Sequence, residues 1–156
     1  MVKRTKNKGF SLLELVVVVV IIGIIAAVAI PRLSRGSAGA ADSALAGNLA
    51  VMRNAIDLYS VEHGGAFPKV AVVENALLQY TDHTGAISAT KDATHIYGPY
   101  VRKIPPLPVG AAKSSTTIAA KAATGVGWIY TEATGEIKAN CTDTEKDDSG
   151  TAYNTY

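Results

Sequence analysis

Residues 8–31 read KGFSLLELVVVVVIIGIIAAVAIP, and the fold turns on them. From Leu15 to Ile30 no side chain is charged or able to hydrogen-bond, and Leu12 and Leu13 extend the run past Glu14. Phe10–Ile30 therefore matches the roughly 20 residues that carry a helix across a bilayer core. A helix buried in a soluble protein keeps a polar stripe, and this one has none, so the segment reads as membrane-inserted. The lone carboxylate of Glu14 at the mouth of such a run is costly, and something must offset it.

Upstream lies MVKRTKNK, whose four charges, Lys3, Arg4, Lys6 and Lys8, are all positive. Positive flanks stay on the cytoplasmic side, which predicts export of the rest of the chain. Taking those four positives from the formal net charge of +2 leaves −2, so the basic balance of the whole chain gives little support to nucleic-acid binding. Cys141 stands alone, which excludes an intrachain disulfide. Its expected place is that of a small half-buried residue rather than a reactive thiol.

An ordinary signal peptide puts its small cleavage-site residue after the apolar core. Here Gly9 comes before it, so a cut after Gly9 would remove only the basic segment and leave the helix on the mature chain. The constellation of Gly9, Phe10, Glu14 and the closing Pro31 resembles the amino-terminal segment of type IV pilins and type II secretion pseudopilins. The likeness covers about the first fifth of the chain. A milder likeness to pseudopilin-like proteins lies in YGPYVRKIPPLP and GWIYTEATGEIKAN. The resemblance implies cleavage between Gly9 and Phe10 by a prepilin peptidase and N-methylation of Phe10. It also implies an α+β pilin-type ladle, with a long helix packed on a small antiparallel sheet.

On the residues alone, two readings of Glu14 stand. Its carboxylate reaches the headgroups, or it pairs with the amine that cleavage creates at Phe10. The resemblance favours pairing with the amine of a neighbouring subunit, which would set register during assembly, with Pro31 closing the assembly segment.

Beyond Pro31, which is expected to kink or locally melt the helix, apolar residues recur at helical spacing. They are Ala38, Ala41, Leu45, Leu49, Met52, Ile56 and Tyr59, and Gly64–Gly65 then signals a stop. One interrupted helix is thus expected from Phe10 to about His63, with Gly23 either a close helix contact or merely tolerated. Gly36 and Gly39 invite bending. The expected segments are a cleaved cytoplasmic leader (1–9), a transmembrane assembly helix (10–30), its continuation against the exported domain (31–63) and a small head (64–156). Within the head, a short helix is expected over about 72–82. STTIAAKAATGVG holds at most one weak strand. A hairpin runs Trp128–Thr131 and Glu136–Asn140, with Trp128 and Tyr130 on one face. Tyr97 and Tyr100 cover the core or a sheet edge, and the polar tail is loosely ordered.

Enzymatic patterns are missing. His63, His83 and His95 lack metal-ligand spacing, one cysteine excludes a cysteine-cluster zinc site, and no glycine loop cradles phosphate. Asp143, Glu145, Asp147 and Asp148 are a candidate calcium cluster, since the resemblance to major pseudopilins implies such a site near the carboxyl end. A solvated acidic tail is the other reading, because Lys146 interrupts the cluster. No cofactor is required.

The leading expectation is a structural subunit of a pilus-like or secretion-pseudopilus filament. It would sit first in the bacterial inner membrane with a cytoplasmic amino terminus and later in the extracytoplasmic filament. The implied partners are further copies of itself, other pilin-like subunits, the prepilin peptidase and N-methyltransferase, an assembly-platform membrane protein and the lipid bilayer. Nucleic acid is not expected. The alternative is a minor tip subunit that binds DNA or surfaces, which would need a basic patch. Lys91, Arg102, Lys103, Lys113 and Lys121 are dispersed along the sequence. A single-pass anchor carrying a solute-binding domain is opposed by the Gly9–Phe10–Glu14 pattern.

Overall fold

The computed structural model describes residues 10–156, leaving aside the side chains of residues 31–35. Gly9 lies outside the described residues, and so does the side chain of Pro31. The chain divides into two compact units, Met1–Ser37 and Ala38–Tyr156.

In the first unit the apolar run forms the start of helix α1 (Leu12–Glu62). The backbone is helical at Pro31 and on both sides of it, so the local melting expected there does not occur. Proline removes only one helical bond, and the bonds of the adjoining turns remain available to hold the backbone.

In the second unit α1 buries Leu45, Leu49, Met52, Ala55, Ile56 and Tyr59, the face that helical spacing picked out. The double glycine ends it as expected. Gly64 takes a left-handed conformation (φ +66), and the Gly65 amide donates back to the Ser60 carbonyl at 2.7 Å, closing the last turn.

Helix α2 (Val73–Leu78) buries Val73, Ala76 and Leu77. It ends short of the predicted boundary at residue 82, because Tyr80–Thr81 enter strand β1 and pair antiparallel with β2 (Ile87–Ser88). The periodicity that reached Tyr80 could not reveal that the backbone turns extended at Gln79, whose ψ is 179.

The larger sheet has the order β3 (Thr117–Ala119), β4 (Val126–Thr131), β5 (Glu136–Ala139). The β4–β5 pair is the predicted hairpin, with Trp128 opposite Ala139 and Tyr130 opposite Ile137. Trp128 and Tyr130 are both buried and Ile129 half-buried, as alternation requires. Their polar ends are satisfied too: Trp128 Nε1 donates to the Pro105 carbonyl and Tyr130 Oη to that of Pro68, each at 2.9 Å.

The sheet is mixed rather than wholly antiparallel, because β3 runs parallel to β4. Parallel neighbours normally need a long crossover. Residues 120–125 suffice here because β3 is only three residues long. The six-residue return spans up to roughly 20 Å, well over the length of that strand.

The tail is tied down rather than loosely ordered. Tyr153–Thr155 form a 3-10 turn, Tyr153 Oη donates to Asp42 on α1 at 2.8 Å, and the Arg53 guanidinium reaches the Tyr156 carbonyl at 2.5 Å. Composition predicted a solvated tail because its anchors are aromatic side chains spaced among polar residues.

Candidate assembly site

The helix start is built by two side chains. The Ser11 amide donates to Glu14 Oε2 at 2.9 Å, and the Glu14 amide donates to Ser11 Oγ at 3.2 Å. This reciprocal pair is a capping box, satisfying two amide donors that a helix amino terminus leaves free. Sequence reasoning treated Glu14 only as a charge, although the S-x-x-E signature of Ser11–Glu14 was there to be read. One Glu14 oxygen thus has a partner within its own chain, and the carboxylate keeps further acceptor capacity. Phe10, just ahead of the box, is 82% exposed.

From Leu12 to Ile30 the helix presents 19 residues long and apolar enough to cross a membrane. Gly23 has open space around it: a Cβ built there meets nothing within 4 Å.

In the second unit α1 has a second apolar face that the sequence reading missed. Ala40, Ala44, Gly47, Val51, Leu58 and Val61 are all exposed. They fall at alternating four- and three-residue steps, with only Asn54 interrupting the series. That is the 3.5-residue repeat of a helix–helix seam. Val51, Leu58 and Val61 are 52, 49 and 78% exposed, whereas Leu45, Met52 and Ile56 on the inner side are fully buried. A surface helix normally turns charges outward. Alanines and a glycine at the early positions leave room for close backbone approach, and larger side chains follow.

Three of the four tail carboxylates accept hydrogen bonds within the chain. Glu145 Oε1 accepts the Ala111 amide at 2.5 Å, and its Oε2 accepts the Thr142 amide at 2.7 Å. Asp147 Oδ1 accepts the Ser149 and Thr151 amides, both at 2.8 Å, and Oδ2 accepts the Tyr156 hydroxyl. Asp143 accepts from Asn154 at 2.7 Å, and Asp148 is exposed. Among the described residues no group of three His, Cys, Asp or Glu side chains is placed to hold a metal ion. The Tyr156 and Ser149 hydroxyls hold the Asp147 carboxyl down at about 2. Cys141 is half-buried, and burial together with nearby Glu145 pushes its thiol up to about 11, the opposite of an activated nucleophile.

Residues 4–30 match the family model of the prokaryotic N-terminal methylation motif. Neither the curated proteins nor the solved structures contain a match to the chain.

Proposed function

Since the chain belongs to the type IV pilin and pseudopilin family by its amino-terminal methylation motif, we propose that it is a filament subunit that assembles through both apolar stretches of α1. The observation that carries this reading is the exposed seam from Ala40 to Val61, on the same helix as the apolar span. An isolated subunit in water would leave this seam wet, and burying it against neighbouring helices contributes about 25 cal/mol for each Å² of apolar area removed from water.

The steps follow from the chain's order. Lys3, Arg4, Lys6 and Lys8 hold the amino terminus in the cytoplasm, and the prepilin peptidase cuts between Gly9 and Phe10. Methylation follows on the Phe10 amine. Lateral packing of the apolar span then brings Glu14 of one subunit near the Phe10 amine of another. In a dry seam an unpaired charge is expensive, so subunits stop sliding where amine and carboxylate meet. Pro31 closes the membrane stretch, and the head stays outside.

Leu58→Glu tests this reading. The position is half-exposed on the outer face, so the head should fold within about 0.5 kcal/mol of wild type. Filaments sheared from cells and counted by electron microscopy should be lost, while the membrane-held subunit remains. Normal filaments from Leu58→Glu would remove the seam from the account.

A further inference from the structure

Over residues 38–62, α1 carries four charged side chains: Asp42, Arg53, Asp57 and Glu62. The head itself engages three of them. Asp42 accepts from the Tyr153 hydroxyl at 2.8 Å, the Arg53 guanidinium donates to the Tyr156 carbonyl, and Glu62 accepts from the Tyr100 hydroxyl at 2.7 Å. Asp57 is exposed, and among the described residues it has no hydrogen-bond or ion-pair partner. Asn54, one helical turn earlier, is in the same condition. A single turn of the helix thus carries a free amide and a free carboxylate.

Both lie on the outer face of α1. Apart from Asn54 and Asp57, the exposed positions of residues 39–64 are glycine, alanine, serine, valine and leucine, so Asp57 is the one exposed charge there. A permanently solvated helix face carries several charges. Asn54 stands at the break in the 3.5-residue apolar repeat, and Asp57 borders that repeat. A polar side chain at one position of an apolar helix seam decides which residues of two helices lie opposite, since any other alignment leaves it dry and unpaired. The facing helix must therefore offer it a hydrogen-bonding group. A shared basic flank orients every copy alike in the membrane, so two α1 helices meet parallel. A facing α1 brings the same two polar residues.

We propose that the Asn54 amide of one copy donates to the Asp57 carboxylate of the next, and that this pair fixes the register of the seam at the level of the heads. The pairing rests on the filament reading above and adds a second lock to it. A neutral N–H donor and a carboxylate acceptor make the hydrogen bond charge-assisted. The offset of three residues is about 4.5 Å of helix rise. It has the same sense as the offset of four residues that sets Glu14 of one copy beside Phe10 of another: in both pairs the acid is the later residue. One displacement of about a helical turn therefore serves both. Because donor and acceptor sit on different residues, the contact is heterologous and repeats with each added subunit instead of closing on a pair.

The test uses mixed filaments of full-length subunits. Asn54→Asp sets two carboxylates against each other at every contact, so this variant alone should build few or no filaments while the subunit stays in the membrane. Asp57→Asn keeps an acceptor and should build them. When the two variants are coexpressed, every contact between them joins a carboxylate to an amide. With wild type as the carrier, one of the two kinds of contact joins two carboxylates. Mass spectrometry of sheared filaments should find the Asn54→Asp subunit about tenfold more abundant in Asp57→Asn filaments than in wild-type filaments, the effect of one charge-assisted hydrogen bond. Repulsion within the variant's own helix would act equally in both carriers. Equal shares would overturn the proposal, and so would abundant filaments from Asn54→Asp alone. The filament reading is judged apart. Equal shares beside a Leu58→Glu variant that builds no filaments remove only the lock, whereas normal filaments from Leu58→Glu remove the seam and the lock with it.

Discussion

Ser11 and Glu14 satisfy each other's amides at the head of α1, so Glu14 has a local task as well as the intersubunit one proposed for it. The two separate by substitution. Glutamine keeps an acceptor for the capping box but has no charge. Glu14→Gln should therefore insert and be cleaved, yet build no filaments alone, because each neighbouring Phe10 ammonium would lie unpaired in the seam at about 3–5 kcal/mol per buried contact. Glu14→Ala should also fray the helix start by about 1 kcal/mol. Electron microscopy of sheared filaments beside a membrane-fraction blot checks both, and abundant filaments from the pure Gln variant would contradict the pairing. At this scale the sequence revealed the charge and its depth. The cap was equally legible, but the cost of a carboxylate in hydrocarbon drew the reading away from local hydrogen bonds. His63 was not legible as buried, since polar type argued for the surface, whereas its ring stack on Tyr59 and its contact with the Tyr59 carbonyl hold it inside.

The elements divide by how local their causes are. The inner face of α1, its glycine stop and the β4–β5 hairpin follow from period and turn residues, and all three were readable. Strand β3 was readable only as a weak strand, because its parallel direction is set by contacts rather than by TIA itself. Gly127 on β4 shows one such contact. A Cβ built there would lie 2.4 Å from the Ser115 carbonyl oxygen, which itself accepts the Leu107 amide at 2.9 Å. Gly127→Ala should push the segment before β3 off β4 and cost about 1–3 kcal/mol, as overpacking does. Equilibrium urea unfolding measures this. An unchanged midpoint would show that the close approach carries no stability. The second face of α1 is faint in the sequence because its repeat lies among alanines that suit any helix, beside the stronger stripe from Leu45 to Tyr59.

Across the whole molecule, the tail is tied to α1 through Asp42 and Arg53, and hydrogen bonds to carboxylates predict how stability follows pH. The hydroxyl of Thr84 and nearby amides hold Asp82 at about 2, as the Tyr156 and Ser149 hydroxyls hold Asp147. Both values lie below the ordinary 3.8, so the folded state favours the ionised forms. Their contribution is complete above about pH 4 and is lost as pH falls toward 2. Tyr153 and Tyr156 behave oppositely: raised to about 12, by burial and Asp42 in the first and by Asp147 in the second, they stabilise below about pH 10 and cease to do so as pH climbs through 12. Thermal melts should thus be flat near neutrality and fall at both extremes, and Asp147→Asn should flatten part of each arm; identical profiles would contradict the role of the Asp147 hydrogen bonds. The central claim is that copies of this chain meet along α1. A photo-crosslinking residue placed at Leu58 and irradiated in intact filaments measures that contact directly. A ladder of covalent multimers is expected, with crosslinks mapping to α1 of another copy. Efficient crosslinking confined to lipid or to the subunit's own head, in filaments that form normally, would contradict it.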